Sequence, residues 1–412
     1  MNIDLANFDI PNIESWKAQI QRETNKEKAT IYENKIEKIR VDLSNKNSNY
    51  DFQTNTEAKK DNSWDIAISF VVNDSFTDNK SILKCLEQGA NHIYLRIHDN
   101  NPKWNKVFEN IILDYIHVTI AFESELQIKS FRQYLTKDYE KNFTISIDPF
   151  SLGFLDSFKD TQVSYSLNAF GLEQIGANSY QQLASLLYAG DQLLQLEISP
   201  GKIKFEIGIG CEFFIEISKI RALKWLWKHL LNENDFEFIE IQLLGRCGWT
   251  NKSTKDPHTN LLRQTTEGLS AVCGGVSSLL IHSASELSKD SSRWFDQRMA
   301  LNISHILKEE SFLSKVNDPL KGSHVTELLS KEIILNSWTL FLELHENTSE
   351  NIDLIVQEVE KTRKQRINEF VNGQKRLLGI NLFSTDNNEL KWHNVPDYLE
   401  MEYLIYEKLN SQ

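Results

Sequence analysis

From Trp64 onward the chain alternates short β-prone runs with helix-length segments of mixed polarity, the rhythm of βα units on a parallel sheet. Eight runs are legible: WDIAISF from Trp64, HIYLRI from His92, IHVTIAF from Ile116, FTISID from Phe143, VSYSLNA from Val163, IKFEIGI from Ile203, FIEIQLL from Phe238 and SLLIHS from Ser278. With the first run starting at residue 64 and the last at 278, the seven intervals average about 31 residues, the length of a strand plus its crossover helix. Eight such units predict a (β/α)8 barrel over residues 63–310.

The intervening text agrees with helices. Between Cys211 and Leu230, Phe214, Ile217, Ile220, Leu223 and Leu226 recur at helical spacing, with Glu212 and Glu216 early and Lys224 and Lys228 late, the order that suits the helix dipole. After the eighth run only helical patterns remain, Trp294–Glu310, Ser323–Glu346 and Ile352–Val371, followed by a polar tail with Trp392 and Pro396. They predict a C-terminal helical extension and tail over 311–412. Residues 1–62 read as an arm and linker. Trp16 opens a short helical pattern, and SNKNSNYDFQTNTEAKKDN is too polar to bury itself, while LANF and Trp16 offer apolar anchors to a partner.

Composition narrows the function classes. A chain that is 40% hydrophobic with nine Trp buries a large core, which excludes wholesale disorder. A net charge of -13 repels phosphate backbones and anionic lipid, so nucleic acid and membrane surfaces are poor partners. Cys85, Cys211, Cys247 and Cys273 are scattered, with no C-x-x-C pair and no zinc-like spacing, and read as reduced thiols. MNIDLANFDIP has no basic segment ahead of an apolar stretch, and no run approaches a membrane span, so a soluble cytoplasmic protein is expected.

In a parallel barrel, ligands sit at the C-terminal ends of the strands, and these ends supply Glu123, Asp148, Phe170 with Gly171, Cys211, Arg246 and His282. Glu123 and Asp148 offer a general acid and base pair of the kind sugar hydrolysis needs, or simple helix caps. His282 offers an acid, a base or a hydrogen-bonded barrel histidine, and Arg246 a grip on an anion or a partner for a neighbouring carboxylate. Gly208 and Gly210 make a G-x-G after a strand, but no third Gly follows and Glu212 stands where a phosphate would lie, against a dinucleotide fingerprint. Asp256 and His258 form D-x-H, with Leu261 where a cobalt-ligand motif D-x-H-x-x-G needs Gly. The same text reads as a helix start, Asp256 the cap and Pro257 the first turn.

Several ordered blocks carry a resemblance. GWTNKSTKDPHTNLLRQTTEGLSAVCGGVSSLLIHSASE, RMALNISHILKEES, NDPLKGSHVTELLSKEI, IGIGCEFFIEISKIRALKWLW and RLLGINLF, with the early DLANF and Trp16 arm, resemble the barrel of the methylmalonyl-CoA mutase family across nearly the whole chain. The family's catalytic chain carries G-Y-H-M-Q-E-A-G-A-T after barrel strand five, its His bonding the thioester carbonyl and its Tyr helping displace the adenosyl group. Here the equivalent text is AFGLEQIGAN, and the pair becomes Phe170 and Gly171. The family's Q-S-L-H-T-N strand becomes SSLLIH, with Ser277 for the Gln and Leu280 for the His. Losing a donor aimed at developing charge costs on the order of 3 kcal/mol in barrier.

The resemblance is nearest to the small chain of the heterodimeric bacterial enzymes. It implies no catalytic residue and no cofactor held by this chain, and a vestigial pocket at Phe170, Gly171, Arg246, Ser277 and His282. It also implies a large catalytic partner that carries adenosylcobalamin in a flavodoxin-like domain, which this chain, ending at Gln412, is expected to lack. Self-association of the isolated chain is a further expectation. The alternative is an acyl-CoA-binding barrel that is active with a cobalamin domain supplied by another chain.

Overall fold

The computed structural model describes residues 12–25, 31–42, 61–72, 79–135, 137, 140–152, 155–158, 161–252, 257–283, 286, 293–346, 351–379 and 381–383. The LANF anchor, most of the polar linker, Asp256, and the tail with Trp392 and Pro396 lie outside these residues. The chain opens with helix α1 (Ile13–Thr24), capped by the Asn12 side chain and closed by left-handed Asn25. A hairpin of β1 (Ile31–Asn34) and β2 (Ile39–Asp42) follows. It buries Ile36, Ile39 and Val41, a packed element within the stretch expected to be arm and linker.

The strands β3 (Asp65–Val72), β4 (His92–Ile97), β5 (His117–Ala121), β6 (Phe143–Ile147), β7 (Ser164–Asn168), β8 (Ile203–Ile209), β9 (Gln242–Cys247) and β10 (Ser278–Leu280) close a parallel barrel in sequence order, β10 against β3. The (β/α)8 class is the one expected, and all eight runs contain or adjoin their strand. The seventh is shifted: Phe238, Ile239 and Glu240 lie outside the strand with Ile239 exposed, and the ladder instead uses the Gly-Arg-Cys end of QLLGRC.

Around the barrel run α2 (Asn79–Glu87), α3 (Trp104–Val107), α4 (Glu125–Tyr134), α5 (Phe170–Gln174), α6 (Ser179–Gln195), α7 (Phe213–Glu233), α8 (Pro257–Gly274) and α9 (Arg293–His305), followed by α10 (His324–Glu346) and α11 (Asn351–Val371). Helix α10 packs across α6 and α7, so the helices beyond the barrel lie directly on its outer layer.

The register explains why the strand sequences alternate. Outward positions such as Ile66, Ile68, Ile93, Leu95, Val118, Ile145, Phe205 and Ile207 join the large core under the helices, each worth about 1.5–3 kcal/mol of burial. The facing row pairs His92 with Ala67, Tyr94 with Thr119, Thr144 with Ser164, Glu206 with Leu244, and Arg246 with Leu280, and it points into the barrel. The interior is therefore small and polar, apart from a separate apolar cluster of Ala67, Tyr94, Leu244 and Leu280.

Candidate functional site

The C-terminal half of the barrel interior is a network of charged and aromatic side chains. Arg246 on β9 donates from Nη1 to Glu206 Oε2 on β8 at 3.3 Å and lies flat against Phe170, 3.7 Å from its ring centre, and against Tyr94 at 4.4 Å. Both members of the pair are buried. Burial pushes the Glu206 carboxyl up, opposed by the nearby Arg246 guanidinium and by hydroxyls of Ser146, Ser166 and Tyr94. Tyr94 donates to Ser146 Oγ at 3.1 Å, and its phenol is raised by burial. Asn168 donates to the same hydroxyl at 3.2 Å. These side chains close the barrel axis at mid-height.

Above them sits His282, just past β10. Its ring lies 4.1 Å from that of Trp249 and 5.7 Å from that of Phe170, with Nδ1 3.1 Å from Glu286 Oε2. Burial lowers the imidazole to about 4, against the opposing pull of Glu286. Burial works against the Glu286 charge, but His282, Arg96 and Ser69 together hold that carboxyl down at about 2. Arg96 Nη2 lies 3.7 Å from Glu286 Oε2, and Ser69 donates to Oε1 at 2.9 Å. At neutral pH His282 is thus a neutral ring whose Nδ1–H is turned to an ionised carboxylate.

The other sequence candidates fall elsewhere. Ser277 is a correction to the expected pocket: it precedes the first residue of β10, accepts from Leu243 N–H at 3.2 Å, and lies at the opposite, N-terminal end of the barrel. Gly171 stands in the first turn of α5, where an added Cβ would meet nothing within 4 Å. Glu123 is exposed and lies 3.2 Å from His98 Nε2, whereas Asp148 accepts the Phe150 N–H at 2.9 Å in a local turn, so the two carboxylates have separate partners. Cys211 is exposed, the other three cysteines are buried, and none of the four is in a disulfide.

Gly208 has a packing role. A Cβ there would come within 2.5 Å of Glu173, whose helix α5 rests on β8 and whose carboxyl accepts from Thr250 Oγ1 at 2.7 Å. His258 is exposed on the first turn of α8, and Leu261 packs against the core where a cobalt-binding motif would need Gly.

Tyr94, Arg96, Glu206, Trp249 and Glu286 were absent from the sequence candidates. For Tyr94, Arg96 and Glu206 the signal was available, since period-two counting puts Tyr94 and Arg96 on the face of His92, and Glu206 on that of Gly208.

With this geometry in hand, comparison with known proteins decides the family. The sequence model described as methylmalonyl-CoA mutase matches residues 164–409, more than half of the chain. The chain belongs to the methylmalonyl-CoA mutase family. It is 29% identical over 327 residues to the methylmalonyl-CoA mutase small subunit of Porphyromonas gingivalis, covering 69% of this chain and 53% of that one. It is 28% identical over 244 residues to the methylmalonyl-CoA mutase of Rhizobium meliloti, 55% of this chain and 34% of that one, and 30% identical over 192 residues to that of Cereibacter sphaeroides, 44% and 27%. The chain thus spans about half of the first relative and about a third and a quarter of the other two.

Proposed function

We propose that this chain is the small, catalytically silent subunit of a cytoplasmic methylmalonyl-CoA mutase, pairing with a large subunit that carries adenosylcobalamin and interconverts methylmalonyl-CoA and succinyl-CoA. The observation that carries the reading is the closed axis: Tyr94, Glu206 and Arg246 fill the barrel at mid-height, and Phe170 covers the guanidinium from above. An acyl-CoA threading this barrel would have to displace a buried ion pair, and leaving one partner unpaired costs about 3–5 kcal/mol. The name of the Porphyromonas gingivalis relative supports the same assignment.

Adenosylcobalamin, when bound, supplies the radical chemistry. The one D-x-H in the chain does not fit it, since Leu261 stands where the accompanying motif has Gly and His258 is exposed on the first turn of α8. In this reading residues 1–62 wrap the partner, 63–310 form the barrel and 311–412 extend it. Helix α1 has no buried residue and exposes Trp16, as a partner-facing element would. Among the described residues no helix is long and apolar enough to cross a membrane.

Two measurements test the proposal. Co-expression with the large subunit is expected to give a one-to-one complex that turns over methylmalonyl-CoA. The isolated chain supplied with adenosylcobalamin is expected to give no succinyl-CoA, and turnover there would overturn the assignment.

A further inference from the structure

The outer helical layer is thin beside β4. Helix α3, in the crossover from β4 to β5, has four residues where α2 has nine and α4 ten, so it covers about 6 Å of a layer that α4 covers for about 15 Å. The shortfall leaves space. A cavity of about 650 Å³ opens between α3 and α4, on the outer side of the strands and apart from the filled interior, with a volume in the range of small-molecule sites.

The floor of this cavity is aromatic and held in place. Trp104 and Tyr134 line it, and each stacks on Phe108, at interplanar angles of 12° and 20°. Trp104 Nε1 donates to Ser130 Oγ at 3.0 Å, which ties the α3 wall to the α4 wall. The surface is therefore set before a ligand arrives. The rim carries charge of one sign. Lys103 and Lys106 line the cavity and are both exposed. Among the described residues lining it there is no carboxylate, and neither lysine pairs with one elsewhere among them, on a chain whose acidic residues outnumber its basic ones 58 to 45.

We infer that this cavity binds a planar aromatic carboxylate, its ring laid on Trp104 and Tyr134 and its acid group held by Lys103 and Lys106. A flat ring suits the floor because aromatic faces gain from stacking beyond the area they bury. An anion suits the rim because two like charges without a counter-ion are relieved by one. Asn105 and Gln133, also on the lining, offer amide groups to the same acid. The site is independent of the subunit role proposed above, since it uses no residue of the barrel axis.

Calorimetric titration of the full chain with naphthoate and with naphthylmethanol, which share the ring and differ in charge, tests it. At low salt naphthoate is expected to bind roughly tenfold more tightly, and the ratio to fall towards one in about 1 M salt, where the screening length is about 3 Å. Lys103→Gln with Lys106→Gln changes only exposed side chains, so the fold and the alcohol's affinity are expected to hold while the two ligands become level. Gln133→Trp fills the mouth and is expected to lose both, which places the binding in this cavity and not on another apolar patch. Equal affinities in the unmodified chain at low salt, a preference that survives the lysine changes, binding that survives Gln133→Trp, or no binding of naphthoate would each overturn the site.

Discussion

Gly171 and Gly208 are chemically identical and physically opposite. Gly171 lies in a helix with open space at its missing Cβ, so Gly171→Ala removes only backbone freedom and is expected to raise unfolding free energy by about 0.5–1 kcal/mol in urea melts. Gly208 admits the Glu173 side chain to 2.5 Å of where a Cβ would sit, so Gly208→Ala is expected to cost about 1–3 kcal/mol by overpacking. Single residues also set the acid limit of the fold. His282 is lowered to about 4 and His92 to about 3, each chiefly by burial, from an ordinary value of 6.5. A histidine depressed in the folded state protonates first in the unfolded chain, so the stability it contributes is full above pH 6.5 and drains away as pH falls towards 4. Glu286, held at about 2 against an ordinary 4.5, extends the loss from pH 4.5 downward. Urea midpoints measured from pH 7 to pH 4 should therefore fall steadily, and His92→Gln with His282→Gln should flatten the slope between 6.5 and 4.

At the scale of elements, the segment after β9 and the helix α8 are joined by a fully buried ion pair, Lys252 with Glu267 at 2.6 Å, to which Asn251 adds a hydrogen bond at 2.7 Å. Removing one member strands the other: Lys252→Met alone is expected to cost about 3–5 kcal/mol by denaturant melts, and the pair Lys252→Met with Glu267→Leu to recover most of it. The hairpin of β1 and β2 is fastened in a comparable way, with Glu37 accepting the Ser179 N–H at 2.9 Å and lying 3.7 Å from Arg366 on α11. These ties explain what was legible in the sequence. Local periodicity located all eight barrel strands because outward positions are apolar and inward ones polar, an alternation a short window detects. It misplaced the seventh because Phe238 and Ile239 imitate a strand while Gly245 and Arg246, which form one, have little β propensity. Arg246, His282, Phe170 and Gly171 were legible as strand-end residues. Tyr94, Glu206 and Arg96 were legible only as inward-facing positions; their network was not, because it depends on which residues of separate strands share a level, and that is fixed only when the barrel closes. Trp249 and Glu286 reach His282 from the segments after β9 and β10, beyond any periodic signal.

For the molecule as a whole, the proposed silence of the barrel has two candidate seats, the two missing side chains or the filled interior. Gly171 has room for a larger side chain, and Tyr in place of Phe170 adds one hydroxyl beside the Arg246 guanidinium, so the double variant Phe170→Tyr, Gly171→His is expected to fold and to restore the family pair in sequence. It does nothing to the layer beneath. Tyr94 remains bonded to Ser146, and Arg246 to Glu206, across the axis that an acyl-CoA would need. The two explanations separate in an equilibrium titration of the chain, unmodified or as the double variant, with methylmalonyl-CoA, since turnover by this barrel would also need the cobalamin that the proposed reading assigns to the large subunit. If missing side chains were the whole cause, the axis would admit the thioester and both chains would bind it, the variant more tightly through its added donor. With a filled interior neither chain binds it, because an oriented donor gains nothing when the thioester cannot reach it.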